Sequence, residues 1–97
     1  MKIAYSPRAL ADLGEIAAYL RPLNPSAATR VRDAILATAQ ILSVFLGIGR
    51  QDAVEGVRRI GVRRLPYSIY YGIDRSADEV VVVTIRHDAR DAAGPDG

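Results

Sequence analysis

The spacing of apolar residues changes once along this chain, and that change limits the folds open to it. Before Leu46 they recur every three or four positions; after Gly56 they recur every second position. A 3.6-residue period is that of a helix with one buried stripe, and a period of two is that of a strand with one buried face. Helices therefore come first and strands later, a segregation that predicts an α+β fold and not an alternating α/β one.

The helical half divides in two. Leu10, Leu13, Ala17 and Leu20, with Ile16 beside them, predict an apolar stripe on a helix over residues 7–21. Ser6 is suited to cap that helix and Pro7 to occupy its first position, where a missing N–H does no harm. Residues 21–26, RPLNPS, break the pattern, and Asn24 or Ser26 can cap a second helix. Its stripe is Ala28, Val31, Ile35, Leu42 and Phe45, with Ala34, Thr38 and Ile41 alongside. The two stripes are expected to form core, in an antiparallel helical hairpin.

Residues 2–5 form a first strand, and residues 46–55, with Gly47 and Gly49, read as a mobile connector that Gly56 closes. Over residues 57–64 alternation puts Arg58, Ile60, Val62 and Arg64 on one face and Arg59 and Arg63 on the other, with Leu65 and Pro66 turning the chain. Residues 67–73 alternate Tyr67, Ile69, Tyr71 and Ile73 against Ser68, Tyr70 and Gly72, and residues 74–78 make a hairpin. The β-branched run EVVVVTIR, residues 79–86, reads as the central strand. The expected order is βααβββ, with the helical hairpin on one face of a small, mostly antiparallel sheet. Residues 1–91 read as one domain and residues 92–97 as a flexible tail.

With 97 residues and no cysteine, the chain has one core and neither disulfides nor thiolate chemistry. No metal or cofactor site is expected. Residues 34–49 carry no charge, but the run is shorter than a membrane span and contains Thr38, Gln40 and Ser43. Proline and charged residues interrupt the N-terminus where a signal peptide needs an apolar run, so the expected location is the cytoplasm.

Net charge is only +2, but Arg58, Arg59, Arg63 and Arg64 fall within seven residues that contain no acid. Together with Arg86, His87 and Arg90 they form the candidate target-binding surface. Each arginine can equally be a solvated strand residue that discourages edge pairing. Tyr67, Tyr70 and Tyr71 suit sheet packing better than base stacking. Asp74, Asp78 and Glu79 interrupt the continuous basic face that direct nucleic-acid binding requires. His87 is the side chain with a solution pKa suited to acid–base work, although a hydrogen-bonded structural role is the commoner fate of a histidine at a strand end.

Three segments in order, SPRALADLGEIAAYL, GVRRIGVRRLPYSIYY and IRHDARD, resemble toxins of the ParE/RelE superfamily, and of its ParE branch in particular. The likeness runs through nearly the whole chain. It rests on Ser6, Pro7, Ala9, Asp12, Leu13, Ile16 and Tyr19, on the arginine, strand and Pro-Tyr segment, and on the closing His87 and Arg90. It implies the toxin of a type II toxin–antitoxin system, held by a ParD-like ribbon-helix-helix antitoxin. The antitoxin would contact Arg58, Arg64, Tyr70 and Arg90, and the target would be DNA gyrase.

The RelE branch instead cleaves messenger RNA on the ribosome, using an arginine on the third strand and often a late tyrosine. Here Ser68 stands at the arginine's place and no tyrosine follows Tyr71, so a non-enzymatic toxin without catalytic residues is expected. Two alternatives remain: a ribonuclease that uses His87, Arg90 and the arginines at 58–64, or a non-toxic relative that only binds antitoxin.

Overall fold

The computed structural model describes residues 1–89. Strand β1 (Lys2–Tyr5) leads through Ser6 into helix α1 (Pro7–Leu20), and a tight turn leads into α2 (Pro25–Ile41). Strands β2 (Arg50–Gln51), β3 (Arg58–Gly61), β4 (Tyr67–Asp74) and β5 (Glu79–His87) follow. They form one sheet in the order β1-β5-β4-β3-β2, with β1 parallel to β5 and every other pair antiparallel. The fold is α+β, with the helical pair packed on one face of a mostly antiparallel sheet.

Both helices begin where the caps predict. The Ser6 hydroxyl accepts from the Ala9 amide at 3.0 Å, and the Asn24 side chain accepts from the Ala27 amide at 3.1 Å. Ser6 also donates to the Val83 carbonyl at 2.7 Å, so the start of α1 is fastened to the edge of β5 just beyond the end of β1. Further along α1, the Asp12 carboxylate accepts from the Thr84 hydroxyl and from the Ile85 amide. A helix side chain thus satisfies a strand-edge donor that β1 is too short to reach.

That edge contact coincides with a bulge. Tyr70 pairs with Thr84 but Tyr71 pairs with Val82, leaving Val83 without a partner on β4. The extra residue lets Val80, Val82 and Ile85 all be buried despite their uneven spacing, while Val83 is 39% exposed. Ile35, Leu42, Ile69 and Tyr71 join them in the core.

Three expectations about the helices and the connector need correction. Leu10 is 57% exposed; the buried face of α1 instead runs through Ala9 and Ile16, because the contact that orients the helix is Asp12 on β5. Phe45 is 60% exposed, since α2 ends at Ile41 and the helical phase that would have turned it inward is lost. The segment expected as a connector contains β2, which pairs with β3 and adds a fifth strand. The predicted tail, residues 92–97, lies outside the described residues.

Candidate functional site

Strand alternation splits the adjacent arginines of β3. Arg58 pairs in register with buried Tyr71 and Arg59 with Tyr70, so the two point to opposite faces. Arg58 Nη1 donates to the Gly49 carbonyl at 2.9 Å, and its guanidinium is spent holding the loop that precedes β2. It is half-exposed and anchors this loop.

Arg59 lies on the face without helices. Its guanidinium carbon is 5.7 Å from the centroid of the Tyr70 ring, and that of Arg86 is 5.9 Å from the same ring. Arg59 Nε also donates to the Ser68 hydroxyl at 3.2 Å, Ser68 donates to Asp88 Oδ1 at 2.6 Å, and Arg59 Nη2 reaches the same oxygen at 3.4 Å. Arg59, Ser68 and Asp88 are one hydrogen-bonded unit beside a double cation–π stack.

Arg63 and Arg64 are not on a strand. β3 ends at Gly61, and both arginines are exposed in the turn closed by the Val62 amide on the Tyr67 carbonyl at 2.8 Å. This corrects the expected strand over 57–64. Arg64 has φ 66, the left-handed conformation that turns the chain toward β4.

His87 pairs in register with Tyr67 and meets that buried ring edge-on, with centroids 5.2 Å apart. Its Nδ1 accepts from the Ala89 amide at 3.1 Å. His87 thus shares a face with the core residue Tyr67, whereas its neighbour Arg86 pairs with Ser68 and stacks on Tyr70. The structure brings Arg59, Arg86 and Tyr70 together, sets Arg63 and Arg64 apart at the turn, and turns Arg58 and His87 to the other face. Arg90 lies outside the described residues.

Sequence reasoning missed Asp88 as a partner of Arg59 and treated Ser68 only as the place where another group is lacking. The available signal was a short polar residue in a strand opposite arginine, with an acid just past the next strand. Sequence reasoning also missed Arg50, which falls in the segment whose glycines predict a connector. No group of three or more His, Cys, Asp or Glu side chains comes together among the described residues as a metal site would require. No described helix is long and apolar enough to cross a membrane.

Residues 3–92 match the family described as the ParE toxin of the type II toxin-antitoxin system parDE. The chain belongs to the ParE toxin family. A Sinorhizobium fredii protein, Y4kP, whose name describes it as a toxin, is 33% identical over 86 residues, covering 89% of this chain and 86% of that protein. Among solved structures, one of a chromosomal ParDE system from P. aeruginosa superposes with a TM-score of 0.80 at 26% identity, over 90% of this chain and 95% of that one. A chain of the RelBE2 toxin–antitoxin complex from Mycobacterium tuberculosis gives 0.63 at 26% identity, over 89% and 88%. The isolated RelE toxin of E. coli shares the fold at 0.53 and 14% identity, over 97% and 95%. The chain is thus a type II toxin of the ParE/RelE superfamily, and its Arg59, Ser68 and Asp88 unit sits on a ParE scaffold.

Proposed function

We propose that this ParE-type chain is a non-enzymatic toxin that traps DNA gyrase and is neutralised by a ParD-like antitoxin with a ribbon-helix-helix DNA-binding part. The observation that carries the first half is the separation of His87 from Arg59, which lie on opposite faces of the sheet. Cleavage of RNA through the 2′-hydroxyl requires a proton acceptor, a proton donor and positive charge converging on one phosphate. His87 is packed against Tyr67 on the helix side, while Arg59 and Arg86 stack on Tyr70 on the opposite side. The Asp88 carboxylate, held on Arg59, opposes a phosphate at that position.

The ParDE and RelBE2 neighbours come from toxin–antitoxin systems, which supports an antitoxin partner for this chain as well. In this reading the exposed turn arginines, Arg63 and Arg64, and the Tyr70 stack make the target contact, while Arg58 keeps the neighbouring loop in place. Purified toxin added to gyrase and supercoiled plasmid should accumulate cleaved DNA. Unchanged supercoiling and cleavage, with transcripts cut at codons in translated message, would reverse the assignment.

A further inference from the structure

Stability does not account for the Arg59, Ser68 and Asp88 unit. The Arg59 and Asp88 side chains are 45% and 40% exposed, so water can satisfy either one if the other is withdrawn, and such a pair contributes little to folding. Ser68 is the opposite case. It is 1% exposed in β4 between buried Tyr67 and Ile69, a place where a β-branched or aromatic residue suits a strand better. Its hydroxyl is nonetheless engaged twice, accepting from Arg59 Nε at 3.2 Å and donating to Asp88 Oδ1 at 2.6 Å.

What the unit does fix is geometry. Asp88 is pinned through its amide, which donates at 2.8 Å to the carbonyl of Pro66, just after the turn residues Arg63 and Arg64. Its carboxylate orients the Ser68 hydroxyl, and the two together take Nε and Nη2 of Arg59. Arg59 pairs with Tyr70 and Ser68 with Gly61, so arginine and serine are diagonal neighbours, a span that a long side chain covers. The guanidinium carbon is thereby held 5.7 Å from the centroid of the Tyr70 ring, which it shares with Arg86. Nη1 of Arg59 makes no hydrogen bond among the described residues. One edge of the guanidinium is fixed, and the other is open to a partner.

Resting on the reading above that this stack meets gyrase, we propose that Ser68 and Asp88 are positioning residues for the target contact. Neither touches the target. Both act by fixing the Arg59 guanidinium on Tyr70, so that its open edge meets the target without first being ordered. The chain of bonds from Pro66 through Asp88 and Ser68 to Arg59 also sets the stack in a constant place relative to the turn that carries Arg63 and Arg64. The two parts of the proposed contact surface are thus held in one frame.

The test reads three quantities in the whole chain: the urea midpoint, the concentration that traps half-maximal cleaved plasmid with gyrase, and water exchange of the Arg59 Nε–H proton by NMR. Ser68→Ala and Asp88→Ala should each raise that concentration about tenfold, the scale of one misplaced charge-assisted hydrogen bond. Both should speed the exchange and leave the midpoint near that of wild type. Asp88→Asn keeps an oxygen for both donors and should stay within about threefold of wild-type potency. In an Arg59→Ala background, Ser68→Ala and Asp88→Ala should add nothing, because they act through a group already removed. Faster exchange with wild-type potency overturns the proposal, as does a potency loss that persists without Arg59. A loss confined to the midpoint makes the unit structural and overturns it too. The same cycle is read in growth arrest on induction: a wild type that arrests growth without trapping cleaved DNA sinks the gyrase reading, while the same fold-changes in growth arrest uphold the positioning role.

Discussion

The Tyr71 hydroxyl and Gly49 are locked together: the Gly49 amide donates to that oxygen at 2.9 Å, and a Cβ on residue 49 would lie 2.6 Å from it. The same hydroxyl donates to the Leu46 carbonyl at 2.8 Å, and Arg58 holds the Gly49 carbonyl from the other side. One strand tyrosine thereby fixes the path by which the chain leaves α2 and enters β2. Tyr71→Phe leaves a buried N–H without its acceptor and should lower stability by about 1–3 kcal/mol. Gly49→Ala forces a methyl onto both the hydroxyl and the Arg59 carbonyl, 2.9 Å away, and should be at least as damaging. Urea unfolding of both variants checks this; wild-type midpoints would show that the loop is not held by Tyr71.

Asp12 performs the corresponding task at the other end of the sheet, where it joins α1 to β5 through Thr84 and Ile85. Its ion pair with Arg8 is solvated on the arginine side, 67% exposed, and contributes little. Asp12→Ala should therefore cost about 1–3 kcal/mol, chiefly through the orphaned Ile85 amide, whereas Arg8→Ala should stay within about 0.5 kcal/mol. Amide exchange supplies an independent reading: Ile85 should lose protection in Asp12→Ala and keep it in Arg8→Ala.

Asp12 also marks where sequence reasoning stopped. Apolar periodicity and the capping residues placed both helices and four of the five strands, because each depends on residues near one another in the chain. The rotation of α1 does not. It is set by a carboxylate meeting a strand edge more than seventy residues away, at a bulge that no local pattern marks, and so Leu10 rather than Ala9 was placed in the core. The basic surface was legible as a composition and illegible as a geometry. Alternation separated Arg58 from Arg59, but the chain's departure from β3 at Gly61 moved Arg63 and Arg64 to a turn, and only tertiary contacts reveal that Arg58 faces a carbonyl while Arg59 faces Ser68 and Asp88.

Tyr5 makes the stability of the fold decline at alkaline pH. Burial of its phenol at the end of β1 raises its pKa above the usual value of about 10. Above that pH the unfolded chain releases this proton before the folded one does. The associated stability is complete below about pH 10 and is lost as pH rises through the folded value. Tyr5→Phe removes the group, so the difference in urea midpoint between wild type and variant should be flat at neutral pH and should change in the variant's favour above about pH 10. A constant difference through that range would mean that the phenol ionises equally well in both states.

Arg64 allows charge and conformation to be separated at the turn proposed to meet the target. Its φ of 66 is unfavourable for an L-residue with a side chain, and glycine adopts it without steric penalty. The gain is partly offset by the greater freedom of glycine in the unfolded chain, so Arg64→Gly should hold stability within about 1 kcal/mol of wild type, whereas β-branched Arg64→Val should destabilise. The glycine variant thus removes a guanidinium from an intact turn. If Arg64 touches gyrase, this variant should need severalfold more protein to trap cleaved plasmid, and Arg63→Ala combined with it should need more again. Full potency in the double variant would place the target contact away from the turn, leaving the Arg59, Tyr70 and Arg86 stack as the surface to mutate next.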